Sequence, residues 1–187
     1  MRLGLPERNL TRSKVLAENL SLIGFMGSGK STVGPLVALS LGMTFIELDM
    51  EVERMAGSKI PDIFEKHGEP FFRRLEARAL GRVLRGRGRV LSCGGGVILS
   101  RTNVNLLRRK SLVILLRISP ETALSRLEGC LERPLVAEGG RERIIRLYRE
   151  REDLYLEAAH HVVLAEGRSP SEVAGEIASA WKGYCWN

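Results

Sequence analysis

The sequence predicts an α/β fold in which helices cover a central parallel sheet. Short apolar runs recur along the chain, and the segments between them show helical spacing, as in sheets built with helical crossovers. The total length of 187 residues and the 44% hydrophobic content suit one compact core. Five apolar runs are predicted to be strands: residues 20–25, 44–48, 89–92, 112–118 and 161–164.

The chain is predicted to contain one domain and three special segments. Residues 1–19 carry scattered charges without an apolar run, which predicts a flexible arm before a single domain at 20–187. Residues 49–76 show helical pieces broken at Gly57 and Gly68, without a strand-like run, and are predicted to be an inserted substrate subdomain. Residues 129–143 contain glycines, a proline and charged side chains, which predicts a mobile lid.

The composition limits the classes of partner. Lysine and arginine outnumber aspartate and glutamate by 29 to 22, a net charge of +7 that suits nucleic acid, acidic lipid or a polyanionic small molecule. Aromatic residues make up only 5% of the chain, so a base-stacking surface for nucleic acid is not expected. No segment approaches the roughly 18 consecutive apolar residues of a membrane span, so no membrane partner is expected.

The cysteines favour a cytoplasmic location. Cys93, Cys130 and Cys185 are odd in number, far apart and without histidine at metal-ligand spacing. Neither a disulfide framework nor a zinc site is therefore predicted. The charged N-terminal residues also lack the apolar stretch of a secretory signal.

The strongest motif lies between the first predicted strand and a predicted helix. It reads Gly24-Phe25-Met26-Gly27-Ser28-Gly29-Lys30-Ser31-Thr32 and matches the phosphate-loop pattern G-x-x-x-x-G-K-[ST] in its required context. Glycines allow consecutive backbone N–H groups and the positive helix end to face a phosphate. Lys30 is predicted to reach the β and γ phosphates, and Ser31 to bind Mg²⁺. The motif therefore predicts a nucleotide-binding protein of the P-loop class.

Further motifs occur in the order found in shikimate kinases. An acid-x-Asp pair, Glu47-Leu48-Asp49, ends the second predicted strand. The remaining matches are the pattern G-E-x-x-F-R-x-x-E at Gly68, Glu69, Phe72, Arg73 and Glu76, a glycine triplet at 94–96, Arg133-Pro134-Leu135, and Arg151. On this ordered set, the chain resembles shikimate kinases over about residues 20–179.

This resemblance implies a fold and an activity. The fold is a P-loop NTPase of the nucleoside-monophosphate-kinase-like type, with a five-stranded parallel sheet, a substrate-binding subdomain and a lid. The activity is transfer of the γ-phosphoryl group of ATP to the 3-hydroxyl of shikimate, with ATP and Mg²⁺ as cofactors. The family expectation for the oligomeric state is a monomer.

The resemblance also implies which residues form the site. It assigns catalysis to Lys30, Asp49 and Arg133, and the metal to Ser31 with Glu47 acting through water. It assigns the nucleotide to Gly27, Ser28, Gly29, Lys30, Ser31, Thr32, Arg126 and Arg133. It assigns shikimate to Asp49, Arg73, Glu76, Gly94, Gly95, Gly96 and Arg151. The two arginines suit a carboxylate, because guanidinium groups bind carboxylates in two-point geometry.

One position departs from the family pattern beside the metal. Glu47 stands where shikimate kinases usually have aspartate, and its extra methylene moves the carboxylate. Because Mg²⁺ usually keeps several waters, Glu47 is predicted to hold the metal through water.

Two other functions remain open at this level. A kinase for another hydroxy acid, such as gluconate, would share the phosphate loop and lid but need not keep Arg73, the glycine triplet and Arg151. A shikimate-kinase-like ligand-sensing domain without catalysis would share the fold, and Glu47 and the basic charge leave room for it. Lys30 and Asp49 argue against it, and the N-terminal arm is too short for a helix-turn-helix module.

Overall fold

The computed structural model describes residues 18–128 and 140–185. At its centre, a five-stranded sheet has the order β2-β3-β1-β4-β5, and every neighbouring pair is parallel. The strands are β1 (Asn19–Ile23), β2 (Thr44–Glu47), β3 (Arg89–Ser92), β4 (Ser111–Arg117) and β5 (His161–Leu164). The predicted fold class is therefore confirmed.

The predicted strands agree with the observed ones to within two residues at every end. The largest difference is at β1, which the sequence predicts to reach Phe25 but which ends at Ile23. Phe25 is apolar for another reason: it lies in the following loop, where its ring packs against Tyr148 with centroids 5.2 Å apart. An apolar run therefore overestimates the strand where the next loop is also buried.

Seven helices and a short 3₁₀ helix lie within the described residues. The helices are α1 (Lys30–Leu41), α2 (Leu48–Ala56), α3 (Ile60–Val83), α4 (Arg101–Lys110), α5 (Pro120–Glu128), α6 (Gly140–Ala158) and α7 (Pro170–Cys185), and the 3₁₀ helix is Val97–Leu99. α1 packs against α7 and beside β2 and β3, whereas α4 and α6 contact β4. Because all strands are parallel, the segments that follow them emerge at one edge of the sheet, where ligands bind in such folds.

The centre of the sheet is buried on both faces. All residues of β1 and all but the last of β4 are buried, as expected for a parallel sheet covered by helices. The buried hydroxyl groups of Ser21 and Ser111 are paired across these strands at 2.8 Å. The buried Asn19 side chain donates to the carbonyl of Gly86 at 2.8 Å and accepts from the backbone N–H of Arg89 at 3.1 Å. These bonds satisfy the buried polar groups and fix the strand register at the amino edge of the sheet.

The segment after β2 is helical and is interrupted at both glycines that the sequence singles out. α2 ends where Gly57 adopts a φ of 65°, and Gly68 is a non-helical residue inside α3 with a φ of 74°. α3 continues to Val83, so the predicted end of the insertion at residue 76 falls inside a helix.

The predicted arm and lid are only partly described. Asn19 is a buried residue of β1, so the predicted arm boundary at residue 19 is wrong by at least one residue. Residues 1–17 and 129–139 lie outside the described residues, and residues 140–143 of the predicted lid form the first turn of α6. In the described ranges, no helix is both long enough and apolar enough to cross a membrane.

Candidate active site

A cleft of about 400 Å³ opens at the carboxyl edge of the sheet. The phosphate loop lies in its middle, between β1 and α1. Predicted residues that line it are Gly27, Ser28, Gly29, Lys30, Ser31, Thr32, Glu47, Asp49, Gly94, Gly95 and Arg126. The structure thus brings the predicted nucleotide residues together with the pair of acidic residues after β2.

The backbone path of the phosphate loop requires glycine. Gly27 and Gly29 have φ values of 78° and 94°, in the left-handed region that other residues rarely adopt. A Cβ atom at Gly24 would stand 2.6 Å from the carbonyl oxygen of Leu116. The loop therefore sits directly on the end of β4, and a side chain at Gly24 would force it away from the sheet.

The Lys30 ammonium is held at the centre of this loop. It donates hydrogen bonds to the carbonyls of Gly24 at 2.8 Å and Phe25 at 3.0 Å, and to the hydroxyl of Ser28 at 3.2 Å. Ser28 is fully buried and Lys30 is only 9% exposed, so the positive charge is concentrated at one point of the cleft floor. A buried cation interacts with phosphate more strongly than a solvated one, because the local dielectric is lower.

The amino end of α1 adds to this positive field. Lys30, Ser31 and Thr32 form its first turn, and the Thr32 backbone N–H bonds to the carbonyl of Gly29 at 3.1 Å. No acidic side chain occupies this turn, so no negative charge there reduces the positive potential of the helix end. The exposed hydroxyl of Ser31 faces the cleft, where Mg²⁺ bound to phosphates would meet it.

Glu47 and Asp49 differ in their structural support. Glu47 is the last residue of β2, and its Oε1 accepts a hydrogen bond of 2.6 Å from Ser92, its register partner on β3. Asp49 is not part of the strand end that the sequence suggests, because it lies in the first turn of α2. The two carboxylates nevertheless both line the cleft, since α2 begins immediately after β2.

One end of the cleft contains Asp49 and Gly94 and is called the acceptor end; beside it, Arg73 is held between two glutamates of α3. Its Nη1 donates to both oxygens of Glu76, at 3.2 and 3.0 Å, and its Nε and Nη2 donate to Oε1 of Glu69, at 3.1 and 2.9 Å. The Glu76 side chain is 1% exposed, whereas that of Glu69 is 57% exposed. Glu76 therefore orients Arg73 from the protein interior, as the family resemblance implies.

The Glu76 carboxylate is a buried charge whose environment disfavours ionisation. Burial raises its pKa above the ordinary glutamate value, Arg73 opposes the rise, and the nearby charges of Asp49 and Glu69 add to it. In turn, the glutamates raise the pKa of Arg73 despite its own partial burial. Coulombic attraction between the two charges and the hydrogen bonds that join them together stabilise the ionised pair.

The glycine triplet after β3 allows side chains of α2 and α3 to approach its backbone closely. A Cβ at Gly94 would lie 2.7 Å from Oδ1 of Asp49, and one at Gly96 would overlap the guanidinium of Arg73. A side chain at either position would displace a residue that the sequence assigns to shikimate.

Tyr155 of α6 connects Arg151 with this triplet. The Tyr155 hydroxyl donates to the carbonyl of Gly95, and burial raises its pKa while the adjacent charge of Arg151 opposes that rise. Arg73, Arg151 and Tyr155 thus converge beside the triplet, although Arg73, Glu76, Gly96 and Arg151 do not line the cleft itself. Arg133 lies outside the described residues.

The sequence analysis missed Cys93 as a residue of the cleft wall. Its side chain is 1% exposed, and its backbone N–H bonds to the carbonyl of Leu22 at 3.0 Å, which continues the pairing of β3 with β1. Burial raises the pKa of the thiol, and the carboxylates of Glu76, Asp49 and Glu47 act in the same direction against Lys30. The buried thiol is therefore neutral, although charged groups of the site lie near it.

The other end of the cleft also contains residues that no motif identifies. The predicted nucleotide residue Arg126 lies there on α5 and donates from Nη1 to the carbonyl of Gly27 at 2.9 Å. The segment after β5 forms the facing wall, with Ala165, Arg168, Pro170 and Val173. A sequence signal did exist, because any segment that follows a parallel strand reaches the ligand edge.

The chain is similar over most of its length to proteins of one family. The family model described as shikimate kinase matches residues 26–182. The chain belongs to the shikimate kinase family. A shikimate kinase from Caldanaerobacter subterraneus subsp. tengcongensis is 41% identical over 165 residues, covering 88% of this chain and 96% of that protein. The family consists of ATP-dependent kinases, so kinase activity and ATP use follow from membership.

Solved structures agree with the shikimate kinase assignment. Shikimate kinase from Acinetobacter baumannii in complex with shikimate superposes with a TM-score of 0.84 at 34% identity, covering 89% of this chain and 94% of the other. Deoxyadenosine kinase from M. mycoides gives a TM-score of 0.57 at 17% identity, covering 88% and 98%. The second likeness shows the shared P-loop kinase fold alone.

Proposed function

We propose that this protein transfers the γ-phosphoryl group of ATP to the 3-hydroxyl of shikimate, giving 3-phosphoshikimate and ADP. The observation that carries the proposal is a cleft with the phosphate loop in its middle and Asp49 at one end, where the Arg73–Glu76 pair lies next to Asp49 behind the glycine triplet. Family membership and the similarity to an enzyme solved with shikimate support the same acceptor.

The acceptor carboxylate would bind Arg73 and Arg151. A guanidinium group carries five N–H donors, and Arg73 directs Nη1 at both oxygens of Glu76 and directs Nε and Nη2 at Glu69. In the hydrogen bonds of the described residues, Nη2 uses one of its two N–H groups, which leaves the other for a substrate carboxylate. Glu76 supports this binding by fixing the guanidinium, so the arginine loses little conformational entropy when shikimate arrives.

Asp49 would orient the acceptor hydroxyl and accept its proton. The hydroxyl oxygen forms a bond to the γ phosphorus, and the bond from that phosphorus to the β–γ bridging oxygen breaks, so ADP leaves with the bond electrons. Lys30 and the amino end of α1 stabilise the charge on the phosphates during this exchange. Asp49 suits its role because it lies on the acceptor side of the phosphate loop, against Gly94.

The oxygen groups beside the phosphate loop fit Mg²⁺. The Ser31 hydroxyl would bind the ion directly, and Glu47 would bind its water ligands, with Ser92 holding Oε1 in place. No cluster of three or more His, Cys, Asp or Glu side chains suited to a metal occurs in residues 18–128 and 140–185, which agrees with an ion held mainly by phosphate and water. When bound, the ion would neutralise charge on the β and γ phosphates.

The proposal includes the lid and the assembly state. Arg133, on the predicted lid, would contact the transferring phosphoryl group, and closure would exclude water from it. We further infer a cytoplasmic location from the cysteine pattern and a monomer from the family expectation. We infer no nucleic-acid partner from the low aromatic content and no membrane partner from the sequence's lack of a long apolar run. Size-exclusion chromatography with light scattering tests the monomer.

A coupled assay of ADP release with ATP, Mg²⁺ and shikimate tests the proposed function. We expect turnover that requires shikimate, with gluconate as the control acceptor, and a phosphate on the 3-oxygen of the product by NMR. Turnover with gluconate instead would move the protein to another acceptor class. Binding of shikimate without turnover would support the ligand-sensing alternative.

A further inference from the structure

A polar cluster lies beside the end of the cleft that contains Arg126 and Arg168, and it joins two walls of the cleft. Glu166 stands in the turn after β5 and accepts hydrogen bonds through Oε1 from the hydroxyl groups of Ser119, at 2.6 Å, and Thr122. Ser119 precedes α5 and Thr122 lies in its first turn. We refer to Ser119, Thr122 and Glu166 as the Glu166 clasp.

The two elements joined by the clasp carry the facing residues of the cleft. α5 carries Arg126, and the segment that contains Glu166 carries Ala165, Arg168 and Pro170. The distance between these walls therefore depends on how α5 is held against the turn after β5.

This part of the cleft is where the nucleoside base of ATP must lie. The phosphates occupy the loop at the centre, and the acceptor group of Asp49 and Gly94 occupies one end. The remaining end offers apolar contacts from Ala165, Pro170 and Val173 opposite a guanidinium, which suits a flat aromatic ring.

We propose that Glu166 is a positioning residue for the nucleotide, which sets the width of the base slot by holding the turn after β5 against α5. Glu166 does not line the cleft, so it acts through Arg126 and the facing wall. Hydrogen bonds from Ser119 and Thr122, and the charge of Arg126, also lower the pKa of Glu166, so the acceptor stays ionised at neutral pH. The inference rests on the proposed function, because it requires ATP in this cleft.

Two substitutions remove the clasp from opposite sides. Glu166→Ala removes the acceptor, and Thr122→Val removes one donor while the Thr122 backbone N–H keeps its 3.1 Å bond to Ser119 at the start of α5. We expect each to raise the Kd for ADP and the KM for ATP by about three- to tenfold, because the walls of the base slot are no longer held together. The effect should be modest, because exposed hydrogen bonds are weaker than buried ones. The kcat at saturating ATP and the KM for shikimate should stay within about twofold.

Three further variants separate the clasp from other effects. Thr122→Ser keeps the hydroxyl, and Glu121→Ala removes an exposed charge from the same turn of α5 without touching the clasp, so both should bind ADP like the unaltered protein. The double variant Glu166→Ala/Thr122→Val should bind ADP as tightly as Glu166→Ala alone, because each change removes the same hydrogen-bonded cluster.

Calorimetric titration with ADP decides the matter. Failure of the unaltered protein to bind ADP would count against the proposed function itself. If it binds and Glu166→Ala binds equally well or more tightly, the clasp has no positioning role. Multiplied effects in the double variant, or an equal loss in Glu121→Ala or in the KM for shikimate, would overturn the proposal as well.

Discussion

The phosphate region in the middle of the cleft is built from consecutive residues, whereas the acceptor end draws on several separate segments. Residues 24–32 supply the loop, the Lys30 ammonium and the start of α1. The acceptor end combines α2, α3, the triplet after β3 and Tyr155 of α6, which meet only in the folded chain. A local motif tolerates change elsewhere, but an assembled site transmits a change at one member to the others.

Lys30→Met should give the largest effect, and that effect should remain confined to the phosphate region. Loss of the buried cation should lower turnover by about 1,000-fold or more and weaken ADP, because the phosphates lose their main side-chain charge. The affinity for shikimate in binding titrations should change little. Lys110→Met, on an exposed residue at the amino edge of the sheet, is the control and should behave normally.

Asp49→Asn should affect catalysis more than either binding step. The amide keeps the shape but cannot take the proton, so turnover should fall by about 100-fold or more while the Kd for ADP is retained. Rapid-mixing kinetics of a single turnover should show the loss in the chemical step. A normal single-turnover rate would remove Asp49 from the proposed proton transfer.

Arg73→Ala should alter shikimate binding and stability together, because the acceptor end is assembled from several segments. The KM for shikimate should rise about 10- to 100-fold with the KM for ATP unchanged, since a charge-assisted pair is lost. The free energy of unfolding should fall by about 2 kcal/mol at pH 8, because Glu76 remains buried without its partner.

The stability loss of Arg73→Ala should depend on pH. Burial raises the pKa of Glu76, and removal of Arg73 raises it further, so the folded state binds a proton more readily than the unfolded one. The deficit should therefore be small below pH 4.5 and grow as pH rises through the folded pKa. Denaturant unfolding across this range measures it. Glu76→Gln in the same chain should restore stability at pH 8 but not the KM for shikimate.

Glu47→Asp should give the smallest effect. Aspartate restores the family residue but shortens the reach to Ser92, so turnover should change by about threefold or less while the magnesium requirement shifts. Turnover across a magnesium titration, compared with Asp49→Asn, checks this. A shift confined to Asp49→Asn would reverse the roles assigned to the two carboxylates.

The sequence predicts the phosphate region better than the acceptor end. The phosphate loop and the five strands follow from local patterns, because backbone conformation and apolar periodicity are set over a few residues. That Glu76 is buried and Glu69 exposed depends on how α3 packs, although both are charged residues of one helix. The Glu166 clasp belongs to no motif, since its contacts join residues more than forty positions apart. Arg168 belongs to no motif either, since it lines the cleft from the turn after β5.

Cys93 can report how often the buried wall of the cleft opens. Its neutral, enclosed thiol reacts with disulfide reagents only when the segment after β3 separates from the helices above it. With Cys130 and Cys185 replaced by serine, the rate of thiol labelling in the folded protein would measure how often this region opens. Saturating shikimate should slow that labelling, so substrate engagement becomes measurable without any phosphoryl transfer.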